Sequence, residues 1–330
     1  MSYRLLITLL AFLAIGLALI TLLIGPAGIS PATSIASLLI GDRTDIFAIV
    51  MREIRLPRML GGLVVGISLG VAGAAMQGYL RNPLAEPGLI GVSASAALGA
   101  VIAIQSGLAA AFVLGLPLMA LAGALVGVML VLVLAGPRGG ALTLILAGIA
   151  ISAMAGAITQ LVLNLSKNPF AVNEIVFWMM GSLADRSLTH VWLALPFTLL
   201  GWLVLARLGR GLDALTLGED AAATLGVHLG RLRLLLVLGT ACVVGASTAV
   251  AGTIGFVGLV VPHLLRPLVG AQPSRLLPAS ALGGAAMVLA ADIAVRLVVP
   301  ERDLKLGVLT ALVGAPLFLH LIYKTRKEQP

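Results

Sequence analysis

One carboxylate lies inside a long apolar stretch near the C-terminal end of the sequence, where a charged side chain is costly unless it is neutralised. Asp292 and Arg296 are four residues apart, the spacing at which two side chains meet on one face of a helix. This spacing predicts a structural ion pair. The alternative is a site for a coupling ion with Asp292 as its titratable group, because ion-driven transporters use such buried acids.

A charged segment at residues 207–233 contains the start and stop residues typical of two short amphipathic helices. Asp213 is expected to cap the first of them. Gly218 is expected to end the first helix. Glu219 and Asp220 suit the first turn of the second helix, and Gly226 suits its C-terminal end. Such a segment can dock into a groove on a partner protein or rest on the lipid surface.

Other chemistries lack the residues that they need. The four lysines do not follow a glycine-rich loop, which excludes ATP hydrolysis through a G-x-x-x-x-G-K-[ST] sequence. The four histidines lack the i,i+4 partner of a helical metal site, and the single cysteine, Cys242, can form neither an internal disulfide nor a metal cluster. We therefore predict no catalytic residue, no metal and no cofactor in this chain. An intramembrane hydrolase, with a serine and a histidine that meet in space, is open but unsupported.

The composition indicates which solvent surrounds the protein. Of 330 residues, 60% are hydrophobic and 10% are charged, whereas a soluble domain carries about 25% charged residues. The net charge of +8 comes from basic residues between apolar runs, a pattern typical of membrane topology and not of nucleic-acid binding. The sequence predicts an all-α polytopic membrane protein embedded in lipid.

Apolar stretches of about 20 residues, the length that crosses a bilayer, predict about ten transmembrane helices in a single domain over 1–330. We assign them to 5–24, 59–80, two helices in 86–138 divided at 105–107, 139–166, 187–206, 234–248, a short broken helix that ends near 265, 276–296 and 307–323. The first stretch is expected to be retained, because it is longer than the core of a secretory signal. Basic residues are more numerous on the side of the termini, which predicts that both termini are cytoplasmic.

Several motifs follow one another along the chain. They are Arg55-Leu-Pro-Arg58, Arg81-Asn82-Pro83-Leu84-Ala85-Glu86-Pro87-Gly88, Trp178-Met-Met-Gly181, Leu217-Gly218-Glu219-Asp220-Ala221 with Leu225-Gly226, Pro262-His263, Asp292 with Arg296, and Gly314-Ala-Pro316. Over nearly the whole chain they resemble the permease subunits of type II ABC importers, the FecCD family. Members of that family bring iron-siderophores, haem and cobalamin across the inner membrane.

The resemblance implies a fold, a function and a set of partners. It implies the type II ABC importer permease fold in the inner membrane and alternating access between two permease copies that form a homodimer. Two cytoplasmic ATPase subunits, which bind ATP and Mg, would sit below the permeases. A periplasmic or lipid-anchored substrate-binding protein would dock above them. Siderophore, haem and cobalamin are all open as cargo.

The resemblance also implies residue roles. The ATPase-coupling helix corresponds to Leu217, Gly218, Glu219, Asp220, Ala221, Leu225 and Gly226. The residues that dock the binding protein correspond to Arg55, Arg58 and Arg296, and a cytoplasmic gate corresponds to Asn82, Pro83 and Leu84. Small and polar residues at 146–160 suggest, from composition alone, that the translocation path is lined by Ser152, Thr159 and Gln160.

One sequence departure and one alternative function accompany this interpretation. The family usually has E-L-P-x-G before the last span, whereas this chain has Asp303-Leu304-Lys305-Leu306-Gly307. Lysine in place of proline predicts a less stiff loop with an additional charge towards the binding protein. The alternative function is an ion-driven secondary transporter that works without an ATPase and depends on Asp292.

Overall fold

The structure is a computed structural model that describes residues 2–25, 30–42, 44–136, 139–298 and 304–328, with the backbone alone at 321, 322 and 324–328. The first half contains helices α1 (Tyr3–Leu23), α2 (Pro31–Ile40), α3 (Ile46–Ile49), α4 (Leu56–Leu80), α5 (Val92–Gln105), α6 (Leu108–Ala111), α7 (Gly115–Ala135) and α8 (Ala141–Leu165). The second half contains α9 (Pro169–Met179), α10 (Leu188–Arg207), α11 (Gly209–Leu215), α12 (Glu219–Thr224), α13 (Leu229–Ala251), α14 (Val257–Leu265), α15 (Pro273–Val298) and α16 (Leu306–Glu328).

The described helices fit the predicted membrane spans. Seven are long and apolar enough to cross a bilayer, and one of these runs from Ile46 to Leu80 because a π-helical turn, Val50–Arg55, joins α3 to α4. Helices α5, α14 and α16 correspond to the remaining predicted spans. The all-α fold with about ten membrane helices is therefore confirmed.

Two short helices lie where the sequence interpretation assigned only connections. Helix α2 begins after Ser30, whose Oγ accepts the N–H of Thr33 at 3.1 Å. Helix α9 begins after Asn168, whose Oδ1 accepts the N–H of Phe170 at 3.0 Å. Each has a proline at its first position, where the missing N–H costs nothing. An N-cap followed by proline thus begins each helix. Both helices are shorter than a membrane span, so the span count does not include them.

Helices α4 and α15 pack against each other and touch through their backbones. A Cβ added at Gly66 would lie 2.5 Å from the carbonyl oxygen of Gly284 and 2.6 Å from Cα of Ala285. A Cβ at Gly70 would meet the carbonyl of Ser280 at less than 3.0 Å. Small residues permit this approach, which is how helices associate where lipid is as apolar as leucine.

Helices α1 and α15 run in the same direction, which defines two ends of the bundle. Near their starts, the hydroxyl of Tyr3 donates to the carbonyl oxygen of Arg275 at 3.5 Å, and we call this the coupling end. Near their ends, the guanidinium of Arg296 donates to the carbonyl oxygen of Ile24 at 2.7 Å, and we call this the arginine end. Helix α4 runs antiparallel to both, because Arg58 at its start contacts Asp292.

The chain between α13 and α14 turns back into the bundle. Helix α13 extends to Ala251, slightly beyond the predicted end near 248. Phe256 then adopts a left-handed backbone (φ +67°) and starts α14, and its N–H donates to Oε1 of Glu86 at 2.9 Å. Lipid offers no hydrogen-bond partners, so a broken helix at membrane depth needs such an internal acceptor.

The α4–α15 contact predicts the effect of one added methyl group. Gly66→Ala should lower the free energy of unfolding by about 1–3 kcal/mol, because the helices must separate to accept the Cβ. Denaturant unfolding in detergent measures this. The matched control is Gly16→Ala in α1, whose Cβ would have nothing within 4 Å. Equal unfolding free energies for Gly66→Ala and the unmodified protein would contradict the proposed packing.

Candidate functional site

The segment 207–233 folds as α11, α12 and the start of α13 at the coupling end. Gly218 and Gly226 flank α12 with φ of +109° and +84°, values that L side chains rarely adopt. Two large apolar side chains beside these glycines face outward, with Leu217 69% and Leu225 66% exposed. Ala222, in contrast, lies on the inner face of α12 and is fully buried. The arrangement presents a short helix with an apolar residue at each end.

We call residues 217–226 the coupling surface. Apart from Leu217 and Leu225, its residues are polar or small. Glu219 and Asp220 are exposed in the first turn of α12, as the sequence indicated, and Ala221 is half-buried beside them. Acidic side chains suit this position because the N-terminus of a helix carries a partial positive charge. The structure therefore holds the seven predicted coupling residues together on one short element.

The predicted role of Asp213 as the cap of the first short helix is wrong. Helix α11 begins at Gly209, so Asp213 lies inside it. Its carboxylate instead accepts the N–H of Ser274 at 2.8 Å and the side-chain amide of Gln272 at 3.1 Å. Ser274 lies in the first turn of α15, where backbone N–H groups lack an intrahelical partner. Asp213 therefore caps a different helix from the expected one.

At the arginine end, one carboxylate contacts two guanidinium groups. Oδ1 of Asp292 lies 2.8 Å from Nε of Arg58, and Oδ2 lies 2.8 Å from a terminal nitrogen of Arg296. The Asp292 side chain is only 1% exposed. The i,i+4 pair predicted from spacing is thus present, and Arg58 of α4 joins it as a third member. A carboxylate buried this deeply is tolerated because groups of opposite charge neutralise it.

Two of the three predicted docking arginines also bind the end of α1. Arg55 donates to the carbonyl oxygens of Leu22 and Leu23 at 2.9 and 3.0 Å, and Arg296 donates to that of Ile24. The last carbonyls of a helix lack intrahelical donors and carry partial negative charge, which favours a cation there. Both arginines are largely buried, whereas the side chain of Arg58 is 18% exposed. Arg58 is therefore the most accessible of the three.

The predicted gate residues form a fixed turn after α4. Oδ1 of Asn82 accepts the N–H of Leu84 at 2.9 Å, and the carbonyl of Asn82 accepts the N–H of Ala85. Asn82 is exposed, while Pro83 and Leu84 are half-buried. The chain then reaches Glu86, which holds the start of α14. Glu86 was missed as a functional candidate, although the prolines and glycine around it signal a constrained backbone.

The three predicted path residues differ in exposure, because α8 presents only part of its surface. Gln160 is exposed, Ser152 is half-buried, and Thr159 is buried. A separate apolar groove of about 620 Å³, which the sequence interpretation missed, lies between the end of α9, the start of α14 and α16. Its lining includes Met180, Thr253, Phe256, Val308, Ala311 and Pro316.

The loop in which lysine replaces the family proline is partly described. Asp303 lies outside the described residues. The ammonium of Lys305 lies 5.5 Å from the ring centroid of Phe177 in α9, a cation–π distance. The lysine therefore contacts a neighbouring helix beside the start of α16.

The bundle has seven described helices that are long and apolar enough to cross a bilayer, so its class is a multi-pass membrane protein. A family model described as the FecCD transport family matches residues 11–324. The chain belongs to the FecCD transport family.

Individual relatives agree with this membership. The chain is 38% identical to a Vitamin B12 import system permease protein, BtuC, of Vibrio cholerae, over 95% of this chain and 93% of that one. It is 38% identical to the Fe(3+) dicitrate transport system permease protein FecD of Escherichia coli, over 84% and 86%. A solved metal-chelate type ABC transporter in an inward-facing conformation matches with a TM-score of 0.84 and 34% identity, over 96% of this chain and 98% of that one.

The three-membered ion cluster predicts a large effect of a small substitution. Asp292→Asn leaves the buried guanidinium of Arg296 and the partly buried guanidinium of Arg58 without their carboxylate, and it should cost about 3–5 kcal/mol in the free energy of unfolding. Denaturant unfolding in detergent measures the loss. The control is Asp185→Asn, an exposed aspartate with φ +56°, a conformation that asparagine tolerates. An unfolding free energy of Asp292→Asn equal to that of the control would contradict a stabilising role for the cluster.

Proposed function

We propose that this chain is the permease subunit of an ATP-driven importer for a metal chelate, such as an iron-siderophore, haem or cobalamin. Two copies form the translocation path as a homodimer and move substrate by alternating access. Two ATPase subunits bind at the coupling end, in the cytoplasm, and a substrate-binding protein docks at the arginine end. The chain lies in the inner membrane with both termini in the cytoplasm, and hydrolysis takes place in the partner.

The coupling surface is the observation that carries this proposal. Leu217 and Leu225 expose large apolar side chains at the two ends of α12, and exposed apolar groups on a fixed helix are suited to a groove on a partner. Gly218 and Gly226 allow the sharp turns that make α12 protrude as a short element. A surface that only rested on lipid would not need two such turns around six helical residues.

Docking of the binding protein rests on the charge at the arginine end. Arg58 is partly exposed and is held in place by Asp292, so an acidic group of a partner can approach it without reorganising the bundle. Arg55 and Arg296 lie behind it and add positive potential, although their guanidiniums are engaged with α1. Complementary charge of this kind mainly accelerates and orients association.

We assign the substrate passage to surfaces lined by small and apolar residues. The exposed face of α8 with Gln160 is one wall, and the groove between α9, α14 and α16 is a second. A large rigid chelate suits a lining with few polar groups, because weak contacts let it leave again. The turn at Asn82, Pro83 and Leu84 forms the gate at the cytoplasmic mouth.

The ATP-driven function is favoured over an ion-driven secondary transporter. The relatives described above are named as permeases of a transport system and of an import system, and the solved structure is named as an ABC transporter. An ion-driven mechanism would need a carboxylate that can exchange a coupling ion. Asp292 is the candidate, and two guanidiniums already neutralise it.

The proposal predicts a specific loss of ATPase binding. Leu217→Ser combined with Leu225→Ser should weaken association with the ATPase subunit at least about 100-fold. Each leucine that becomes buried when the ATPase binds contributes about 1.5–3 kcal/mol to the binding free energy. Titration of the ATPase onto the permease in nanodiscs measures this affinity. The matched control is Ile40→Ser at the end of α2, an apolar residue that is even more exposed (84%) and lies far from the coupling surface. Unchanged affinity of the double variant would contradict the assigned docking surface.

A further inference from the structure

Asp213 is joined to a helix that begins 60 residues later in the chain. Its Oδ1 accepts the backbone N–H of Ser274 and its Oδ2 accepts the side-chain amide of Gln272. Pro273, at the first position of α15, has no N–H, so Ser274 provides the first free donor of that helix. Both oxygens of the carboxylate thus hold the N-terminus of α15, where a negative charge is also favoured by the helix dipole.

Close packing accompanies this hydrogen bonding. A Cβ at Gly209, the first residue of α11, would lie 3.1 Å from Cβ and 3.2 Å from Cα of Ser274, so the backbones of α11 and α15 are nearly in contact. Leu212 on the same helix is fully buried and lies beside Gly78 near the end of α4. Helix α11 therefore packs against both α4 and α15. The carboxylate contact is part of a packed junction.

Helix α15 continues from this junction to the opposite end of the bundle. From Ser274 to Arg296 it rises about 33 Å at 1.5 Å per residue. Along this length its backbone touches that of α4 at Gly66 and Gly70, and at its far end Asp292 binds Arg58 of α4. Two helices in backbone contact that are also tied by an ion pair move as one body more readily than as separate helices.

We infer that Asp213 is a positioning residue that connects the coupling surface to the α4–α15 pair, so that the ATPase and the binding protein sense each other through this pair. The inference rests on the proposed function, which puts the two partners at the two ends. Asp213 would contact neither the nucleotide nor the substrate. Its carboxylate transfers displacement of α11 and α12 to the first turn of α15, and α15 carries that displacement to the arginine end.

The experiment uses the assembled complex of permease, ATPase and binding protein in nanodiscs, and it compares ATP hydrolysis with and without the binding protein. Asp213→Ala should leave ATPase assembly and the basal hydrolysis rate intact. The stimulation by the binding protein should fall at least about fivefold, the lower range of coupling between distant sites. Asp213→Asn should restore most of it, because its oxygen can still accept from Ser274 and its amide can donate to the oxygen of the Gln272 side chain.

Two further variants separate this link from a general structural defect. Gln272→Ala removes one of the two contacts from the side of α15 and leaves α11, α12 and the coupling surface unaltered. It should reduce stimulation less than Asp213→Ala does. The control is Ser2→Ala, which removes an N-cap at the same end of the bundle, where Oγ accepts the N–H of Leu5 at 3.3 Å. It should leave stimulation unchanged.

The outcomes distinguish the inference from the proposed function. Full stimulation in Asp213→Ala and Gln272→Ala would overturn the inference, and so would loss of ATPase binding in Asp213→Ala, since that would make Asp213 part of the docking surface. If the unmodified permease did not bind the ATPase at all, the proposed function itself would fail. Stimulation that falls in Asp213→Ala at an unchanged basal rate and returns in Asp213→Asn supports the link.

Discussion

The backbone contact between α4 and α15 is the constraint on which the other features depend. Gly66 and Gly284 allow the two helices to approach until a single methyl group would not fit between them. The hydrophobic effect supplies little force between helices in lipid, so close packing and internal hydrogen bonds must hold the bundle together. Three further features attach to this pair: α11 at the coupling end, α14 beside α4, and the ion cluster at the arginine end.

Lipid imposes a second requirement, which explains the polar contacts at helix ends. An unsatisfied backbone group in hydrocarbon costs several kcal/mol, and at three helix ends charged side chains bind such groups. Arg55 and Arg296 bind the last carbonyls of α1, Glu86 binds the start of α14, and Asp213 binds the start of α15. Charged residues make up only 10% of this chain. Several of them bind the end of a helix that is distant in the sequence.

Sequence reasoning reached the features that depend on local spacing. The length of apolar stretches located the long spans, and the i,i+4 spacing located the pair of Asp292 and Arg296. It missed α2 and α9, because helices of about ten residues are shorter than a bilayer and leave no length signal. It also missed that Arg58 joins Asp292 and that Asp213 caps α15, since 234 and 61 residues separate these partners. Periodicity carries no information about contacts of that range.

The central claim is that this permease moves its cargo only when a separate ATPase supplies the energy. The most direct test measures uptake of labelled ferric citrate, haemin and cobalamin by liposomes that contain the permease with its ATPase and binding protein. The account predicts that at least one of these chelates accumulates when ATP is hydrolysed, and that an ATPase unable to hydrolyse ATP abolishes accumulation. Accumulation by the permease alone, driven by a proton or sodium gradient, would contradict it.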